Sequence, residues 1–254
     1  MSKIALITGA TSGIGRATSI ALAKDGVNLI ITGRRDKILI DLANEIEREY
    51  QIKVLALPFD VRELSQVEQN LSNLPEFWRN IDILINNAGL AVGLNPLNSG
   101  VTEDWERMID TNVKGLLYVS RVVAGLMIDR KRGGHIINIG SIAGKSVYPD
   151  GNVYCATKHA VDALSRAMSM DLFKHRIRVS QVSPGAVETE FSTVRFKGDS
   201  VRAANVYKGF TPLSAYDVAE VIRFVVNAPL HVNISDVVVM PSAQASATMI
   251  NRED

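Results

Sequence analysis

The sequence predicts one doubly wound α/β domain, with about seven parallel strands and helices on both faces of the sheet. Short runs rich in β-branched residues recur between longer segments of helical periodicity, and this alternation is typical of a parallel sheet with right-handed crossovers. Most of the runs are apolar at every position, as expected for strands that are covered on both faces. No linker, repeat or low-complexity segment divides residues 1–254, so a single domain is expected.

The first half of the chain alternates apolar runs with helical segments. The runs predicted as strands span residues 4–7, 27–32, 54–57 and 81–85. The predicted helices, which carry apolar residues at helical spacing, span residues 13–24, 36–50, 63–74 and 102–129. Asp36 is well placed to open the second helix, because acidic side chains favour helix N-termini.

The second half continues the pattern with one interruption. Strands are expected at residues 135–139, 179–182 and 236–240, and helices at residues 152–173 and 216–227. Residues 188–213 show no clear strand and only loose helical periodicity. A long irregular stretch within a compact domain is more often functional than a plain connection, so this segment is predicted to be a substrate lid.

Composition excludes several classes of partner. The net charge is +1, with 28 basic and 27 acidic residues, so neither nucleic acid nor an anionic membrane is an expected partner. Cys155 is the single cysteine, which excludes an intrachain disulfide and is compatible with a reducing compartment. No signal peptide and no run of about eighteen apolar residues is present, so a cytoplasmic protein is expected.

Tyr154 and Lys158 lie four residues apart in a predicted helix, so their side chains share one face. A free tyrosine ionises at about pH 10, too high for efficient proton transfer at neutrality. A cation roughly 5 Å away would favour the phenolate by roughly 3 kcal/mol at an effective dielectric of about 20. The pair is therefore predicted to act in general acid–base catalysis, the alternative being an exposed helix with an unrelated Tyr and Lys.

A glycine-rich turn follows the first predicted strand and precedes a helix. Its glycines, Gly9, Gly13 and Gly15, would let the backbone turn tightly and approach a pyrophosphate bound at the helix N-terminus. The spacing is Gly-x-x-x-Gly-x-Gly, which differs from the commoner dinucleotide fingerprint. The cofactor-binding residues predicted here are Gly9, Thr11, Ser12, Gly13, Ile14 and Gly15; a plain glycine-rich turn is the alternative.

The end of the second strand indicates which dinucleotide is bound. An NAD site usually has an Asp or Glu here to bind the ribose 2′-hydroxyl. This chain instead has Gly33 followed by Arg34 and Arg35, whose guanidinium groups suit a 2′-phosphate. Asp36 is a weak signal in the other direction. NADP(H) is the predicted cofactor.

Taken together, these motifs resemble those of the short-chain dehydrogenase/reductase family over nearly the whole chain, with its Rossmann-type fold. The matching residues are Thr8 to Gly15, Asn86-Asn87-Ala88-Gly89, Asn112, Ser141, Tyr154-x-x-x-Lys158, Pro184-Gly185, Val187 and Thr189.

The resemblance implies a role for each matching residue. Tyr154 would exchange a proton with the substrate oxygen, and Ser141 would hydrogen-bond that oxygen. Lys158 would bind the nicotinamide ribose and lower the pKa of Tyr154, while Asn112 would hold a water in a proton relay with Lys158. Further cofactor contacts are implied for Asp60, Val61, Asn87, Ala88, Gly89, Pro184, Gly185, Val187 and Thr189.

A narrower similarity is to the NADP-dependent 3-hydroxy acid dehydrogenases, carried by segments such as Glu190-Phe191-Ser192 and Val194 to Asp199. It implies oxidation of serine or allo-threonine, or reduction of malonic semialdehyde. A carboxylate substrate needs a cationic partner, which Arg195 or Lys197 of the lid could supply. Alternatively, this pair solvates or fixes the lid.

Other readings of the whole chain remain open. It could reduce another carbonyl, such as a 3-oxoacyl group or a small ketone, or it could be a catalytically silent NADP(H)-binding regulator. The resemblance also implies a homotetramer, with the tail at residues 241–254 packed against another subunit through Met249 and Ile250. No metal is expected: Cys155 and His159 are four residues apart, but two ligands seldom suffice for zinc, so packing is predicted for both.

Overall fold

Nine strands occur among residues 2–253, which are the residues that this computed structural model describes. They are β1 (Ile4–Ile7), β2 (Asn28–Gly33), β3 (Val54–Pro58), β4 (Ile83–Asn86), β5 (Gly134–Ile139), β6 (Ile177–Pro184), β7 (Val187–Glu188), β8 (Leu213–Ser214) and β9 (Asp236–Val239). Seven form a parallel sheet in the order β3-β2-β1-β4-β5-β6-β9, and β7 pairs separately with β8. The predicted doubly wound α/β fold is confirmed.

The helices cover both faces of this sheet. They are α1 (Gly13–Lys24), α2 (Asp36–Tyr50), α3 (Leu64–Ser72), α4 (Thr102–Ile109), α5 (Leu116–Arg130), α6 (Asn152–Leu172), α7 (Glu190–Arg195), α8 (Ser200–Asn205) and α9 (Ala215–Val226). The helix predicted over residues 102–129 is present as α4 and α5, but a π-helical segment that the sequence pattern did not indicate, Asp110–Gly115, joins the two. π-Helical segments are rare in proteins, and those that occur often lie at functional sites.

Two apolar cores lie on opposite faces of the sheet because successive strand residues point in opposite directions. In β1, Ala5 and Ile7 pack in one core with α1, α2 and α9. Ile4 and Leu6 of the same strand pack in the other core with α3 and α5. All four side chains are buried, which explains why the run is apolar at every position.

The segment predicted as an irregular lid is more ordered than its sequence indicated. It contains the short helices α7 and α8, and its ends pair as β7 and β8, with Val187 opposite Leu213. Thr189 and Asp199 cap the two helices with their side chains. Six-residue helices are too short to leave a clear periodic pattern, which is why the prediction missed them.

The tail folds against the lid of its own chain. Gln244 Oε1 accepts a hydrogen bond of 2.8 Å from the Ala186 amide, and Gln244 forms an antiparallel bridge with Ile250. Arg252 donates to the Val206 carbonyl and lies over the Phe210 ring at 5.1 Å. The predicted contact of the tail with a second subunit stays a prediction; Met249 remains 65 % exposed.

His135 is a buried polar residue within the sheet, with 3 % of its surface exposed. Its Nε2 lies 2.7 Å from Ser180 Oγ. Burial lowers the pKa of His135 from 6.5 to about 3, and the positive charges of Arg178 and Lys3 act in the same direction. Between about pH 3 and pH 6.5, the unfolded chain therefore binds a proton at His135 and the folded chain does not.

We expect His135 to contribute stability that is complete above about pH 6.5 and is lost as the pH falls towards 3. The slope from this one group is about 1.4 kcal/mol per pH unit. Urea unfolding at a series of pH values should show a shallower acid dependence in His135→Gln than in the parent. His231→Gln, at an exposed position, should keep the parental slope; parental slopes in both variants would contradict the prediction.

Candidate active site

A cleft of about 380 Å³ opens at the carboxyl ends of β1, β4, β5 and β6. Parallel strands in doubly wound sheets bind their ligands at this edge, near the point where the strand order reverses. Here that point lies between β1 and β4, which are neighbours in the sheet although two strands separate them in the chain. The cleft is therefore the candidate site on topology alone.

The glycine-rich turn forms one wall of the cleft. Gly9 and Gly13 have φ angles of +67° and +51°, which favour glycine over other residues. A Cβ atom at Gly15 would lie 2.3 Å from the Gly9 carbonyl oxygen and 2.5 Å from Asn87 Nδ2. Ser12, at the N-terminus of α1, makes no side-chain capping bond, so the first-turn amides are free to bind an anion.

The two arginines after β2 lie at the outer end of the cleft. Arg35 donates from Nε and Nη2 to Thr11 Oγ1 at 3.2 and 3.1 Å, and its Nη1 pairs with Glu190 at 3.0 Å. Arg34 is half exposed and lies 3.9 Å from Asp60. The guanidinium groups therefore border the glycine-rich turn, where a dinucleotide's adenosine ribose would be placed.

Tyr154 and Lys158 lie on the first two turns of α6, and both are buried, with 8 % and 7 % of their surfaces exposed. Lys158 Nζ donates to the Ile139 carbonyl at the end of β5 and lies 6.0 Å from the centre of the Tyr154 ring. Ser141 follows the same strand, and its Oγ accepts from the Ala143 amide at 3.1 Å. The predicted acid–base group is therefore assembled at one point of the cleft.

Asn112 lies behind this group rather than on the cleft surface. Its side chain accepts from the Leu90 amide at 2.9 Å and donates to the Leu90 carbonyl at 2.8 Å. It also donates to Thr157 Oγ1 on α6. These bonds join the π-helical segment to the chain after β4 and to the catalytic helix, which gives a physical reason for the interruption between α4 and α5.

Burial dominates the ionisation of the two catalytic candidates. It raises the pKa of Tyr154, against which the charge of Arg195 and the hydroxyl of Ser141 act. It lowers the pKa of Lys158 from 10.5 to about 8. From the helix spacing alone, the Lys158 ammonium is expected to lower the pKa of Tyr154. In the structure, burial outweighs the groups that lower this pKa, and the largest of these is Arg195 rather than Lys158.

The two candidate cations of the lid are in different environments. Lys197 pairs with Asp104 of α4 at 2.7 Å. Arg195 lies beside Tyr154: the Arg195 Cζ atom is 5.0 Å from the centre of the Tyr154 ring, and Arg195 Nη2 donates to Tyr148 Oη at 2.6 Å. Of the two, only Arg195 is placed to meet a substrate at Tyr154.

Most of the residues predicted from the sequence line this cleft. Gly15 and Asn112 lie just behind its surface, and Arg195 lines an adjoining pocket with Tyr154. Sequence reasoning missed Tyr148 and Phe191, which flank Arg195, and Arg107 and Thr111, which also line the cleft. Phe191 lies in a segment that carries the narrower family similarity, whereas no local motif marked the other three. The predicted residues found on the cleft are Gly9, Thr11, Ser12, Gly13, Ile14, Arg34, Arg35, Asp60, Val61, Asn87, Ala88, Gly89, Ser141, Tyr154, Lys158, Pro184, Gly185, Val187 and Thr189.

Cys155 and His159 do not face each other. Cys155 is buried against Tyr154 and Leu90, while His159 is exposed and its Nδ1 lies 2.9 Å from the Cys155 carbonyl oxygen. Among residues 2–253, no three His, Cys, Asp or Glu side chains are close enough together to hold a metal ion. None of the helices in that range combines the length and apolar character that crossing a membrane requires.

The family model for short chain dehydrogenases matches residues 3–199. The chain belongs to this family. The resemblance predicted from the motifs is thus confirmed, and the glycine-rich turn, Ser141 and the Tyr154–Lys158 pair lie within the matched region of this short-chain dehydrogenase.

Several proteins resemble this short-chain dehydrogenase over nearly its whole length. The NADP-dependent 3-hydroxy acid dehydrogenase YdfG of Salmonella typhi is 45 % identical over 96 % of this chain and 97 % of its own. Sulfoacetaldehyde reductase 2 of Chromohalobacter salexigens is 42 % identical over the full length of both. The closed form of serine dehydrogenase complexed with NADP⁺ has a TM-score of 0.91 and 43 % identity, covering 99 % of this chain and 100 % of that chain.

Proposed function

We propose that this protein is an NADP(H)-dependent oxidoreductase that interconverts a short 3-hydroxy acid and its carbonyl form. One observation carries the proposal: both the Ser141 hydroxyl and the Arg195 guanidinium are neighbours of Tyr154, in a cleft that continues to the glycine-rich turn. A substrate with its reactive oxygen at Tyr154 and its anionic group at Arg195 would need only a short carbon chain between the two groups. The relatives named for 3-hydroxy acids, serine and sulfoacetaldehyde support the same substrate class.

The residues present fit a dinucleotide carrying a 2′-phosphate. The contact between Gly15 and the Gly9 carbonyl leaves no space for a side chain, so the backbone can approach a pyrophosphate at the α1 N-terminus. Arg34 and Arg35 border the turn with guanidinium groups that can bind a phosphate bidentately. The chain after β2 has no acidic residue before Asp36 to bind a 2′-hydroxyl.

The chain's own residues would orient the substrate and move its proton. Bound NADP⁺ supplies the hydride acceptor. In the oxidative direction, the ionised Tyr154 takes the hydroxyl proton while Ser141 hydrogen-bonds the same oxygen. Lys158 would hold the ribose and favour the phenolate. Asn112 fixes the loop at Leu90, and it would hold a relay water beside Lys158.

Arg195 is the proposed partner of the substrate's anionic group. Its backbone carbonyl accepts from the Gly93 amide at 2.9 Å, which joins the lid to the loop after β4. Its Nε is buried and has no hydrogen-bond partner among the described residues. A buried guanidinium donor without a partner costs free energy that a carboxylate or sulfonate would recover.

The function is tested by following NADPH absorbance while a panel of substrates is offered. Serine, 3-hydroxypropionate and 3-hydroxybutyrate should be oxidised with NADP⁺, and sulfoacetaldehyde is included because a sulfonate presents a similar charge. We expect NADP(H) to be used with at least tenfold higher kcat/KM than NAD(H), from the loss of charged hydrogen bonds without the 2′-phosphate. A preference for a 3-oxoacyl thioester or a plain ketone would favour the other carbonyl reductases, and no turnover at all would favour a regulator.

Replacing Arg195 with Ala should raise the KM of an acid substrate about ten- to a hundredfold, because one charge-assisted pair is lost. The methyl ester of 3-hydroxybutyrate lacks the charge, so its KM should change far less. Lys197→Ala is the matched control, since Lys197 is paired with Asp104. Equal changes in KM for the acid and the ester would remove the carboxylate role from Arg195.

We also propose a homotetramer in the cytoplasm. Large apolar side chains project from the long helix α6 and from the region of α9, where they are not covered by the chain itself. Met170 and Phe173 are 74 % and 72 % exposed, and Phe224 and Leu230 are 67 % and 85 % exposed. Light scattering in solution measures the number of subunits directly.

A further inference from the structure

Arg195 lies on the last turn of α7, yet its guanidinium group reaches the catalytic tyrosine on α6. Its Cζ atom is 5.0 Å from the centre of the Tyr154 ring, 5.1 Å from that of Phe191 and 5.7 Å from that of Tyr148. The Tyr154 and Phe191 rings meet edge to face at 5.6 Å. A guanidinium group among three aromatic rings is held by cation–π attraction as well as by its hydrogen bonds.

The other cation near Tyr154 is less well placed to act on it. Lys158 Nζ is 6.0 Å from the ring centre and is engaged with the Ile139 carbonyl. Burial favours its neutral form and lowers its pKa to about 8. An arginine keeps its charge throughout the working pH range, whereas a buried lysine can lose its charge within that range.

The groups that face Tyr154 come from four parts of the chain. Arg195 comes from α7, the Ser141 hydroxyl from the end of β5 and the Tyr148 hydroxyl from the loop before α6, while Cys155 and Lys158 belong to α6 itself. Among residues 2–253, no carboxylate belongs to the groups that affect the ionisation of Tyr154. The nearby Asp104 is occupied by Lys197.

We propose that Arg195 is a positioning residue for the acid–base step: the lid carries it to the face of Tyr154, where its charge stabilises the phenolate. This rests on the proposed function of the same site and assigns the lid a second task besides binding the substrate. The lid then contributes to catalysis even for a substrate without a charge. The pH range in which Tyr154 is ionised then depends on α7 lying against α6.

The first consequence concerns the pH dependence of oxidation. A cation within about 5 Å lowers the pKa of an acidic group by one unit or more. In Arg195→Met, which keeps length and removes charge, the pH at which kcat/KM rises for the methyl ester of 3-hydroxybutyrate should increase by about one unit. At pH values below this rise, kcat/KM of the variant should be about tenfold lower than that of the parent. At high pH, kcat/KM should equal the parental value.

Two further variants separate this effect from a purely structural one. Arg195→Lys keeps the charge and should recover most of the shift. Arg202→Met is the matched control, because Arg202 is another lid arginine over an aromatic ring, Phe196 at 4.6 Å, but it is exposed and is not among the groups that act on Tyr154. It should keep the parental profile. A structural role for Arg195 would instead lower the rate equally at every pH.

A measurement that needs no turnover decides the proposal independently of the substrate. Carbon-13 NMR of the NADP⁺ complex, labelled at tyrosine Cζ and assigned with Tyr154→Phe, follows ionisation of Tyr154 directly. The fraction ionised at a fixed alkaline pH should fall about tenfold in Arg195→Met. An unchanged fraction would overturn the proposal even if the acids are oxidised; failure to oxidise any panel substrate would overturn the proposed function alone.

Discussion

Replacing Tyr154 with Phe should lower kcat by about 10²–10⁴-fold, the usual contribution of a positioned acid–base group. The change removes the hydroxyl and keeps the ring that packs edge to face on Phe191, so the fold and the cofactor site should persist. Steady-state turnover measures the loss, and calorimetric titration with NADP⁺ checks that the Kd is within a few fold of the parental one.

Tyr148→Phe is the matched comparison for this experiment. Tyr148 is a second tyrosine close to the site, and burial raises its pKa to about 12, which makes it a poor proton donor or acceptor near neutrality. Its hydroxyl accepts a hydrogen bond from Arg195, so its loss should cost less than tenfold in kcat. Losses of similar size in the two variants would contradict the assignment of the proton to Tyr154.

Replacing Gly15 with Ala should damage both stability and cofactor binding. The new Cβ would lie 2.3 Å from the Gly9 carbonyl oxygen and 2.5 Å from Asn87 Nδ2, distances at which the backbone of the glycine-rich turn has to move. Overpacking of this kind costs about 1–3 kcal/mol or more. Urea unfolding should show that loss, and the Kd for NADPH should rise at least tenfold because the displaced turn is the proposed pyrophosphate site.

Gly125→Ala is the control for the Gly15 substitution. Gly125 is also within a helix, α5, but a Cβ there has no neighbouring heavy atom within 4 Å. Alanine is a better helix former than glycine by about 0.8–1.0 kcal/mol, so this variant should be as stable as the parent or slightly more so. A Gly15 variant that binds NADPH like the parent would contradict the proposed path of the cofactor.

The sequence predicted the candidate site best where the interacting residues are close together along the chain. Tyr154 and Lys158 share a helix, so a spacing of four residues places both on one face without knowledge of the rest of the chain. The interruption at Asn112 could not be predicted in the same way. It depends on the Leu90 backbone, twenty-two residues away, and no local pattern of apolar residues records such a contact.

The sequence by itself determined the alternation of strands and helices, the glycine-rich turn and the pairing of Tyr154 with Lys158 on one helix face, because each depends on residues within one or two helical turns. Only the tertiary structure decided which lid cation lies at Tyr154. Arg195 and Lys197 are two residues apart and equivalent in the sequence, but α7 directs one towards Tyr154 and leaves the other on Asp104. The same distinction applies to Tyr154 itself, whose acidity depends on burial and on a charge from a distant helix. Solvent exclusion and contacts between distant segments exist only once the chain has folded.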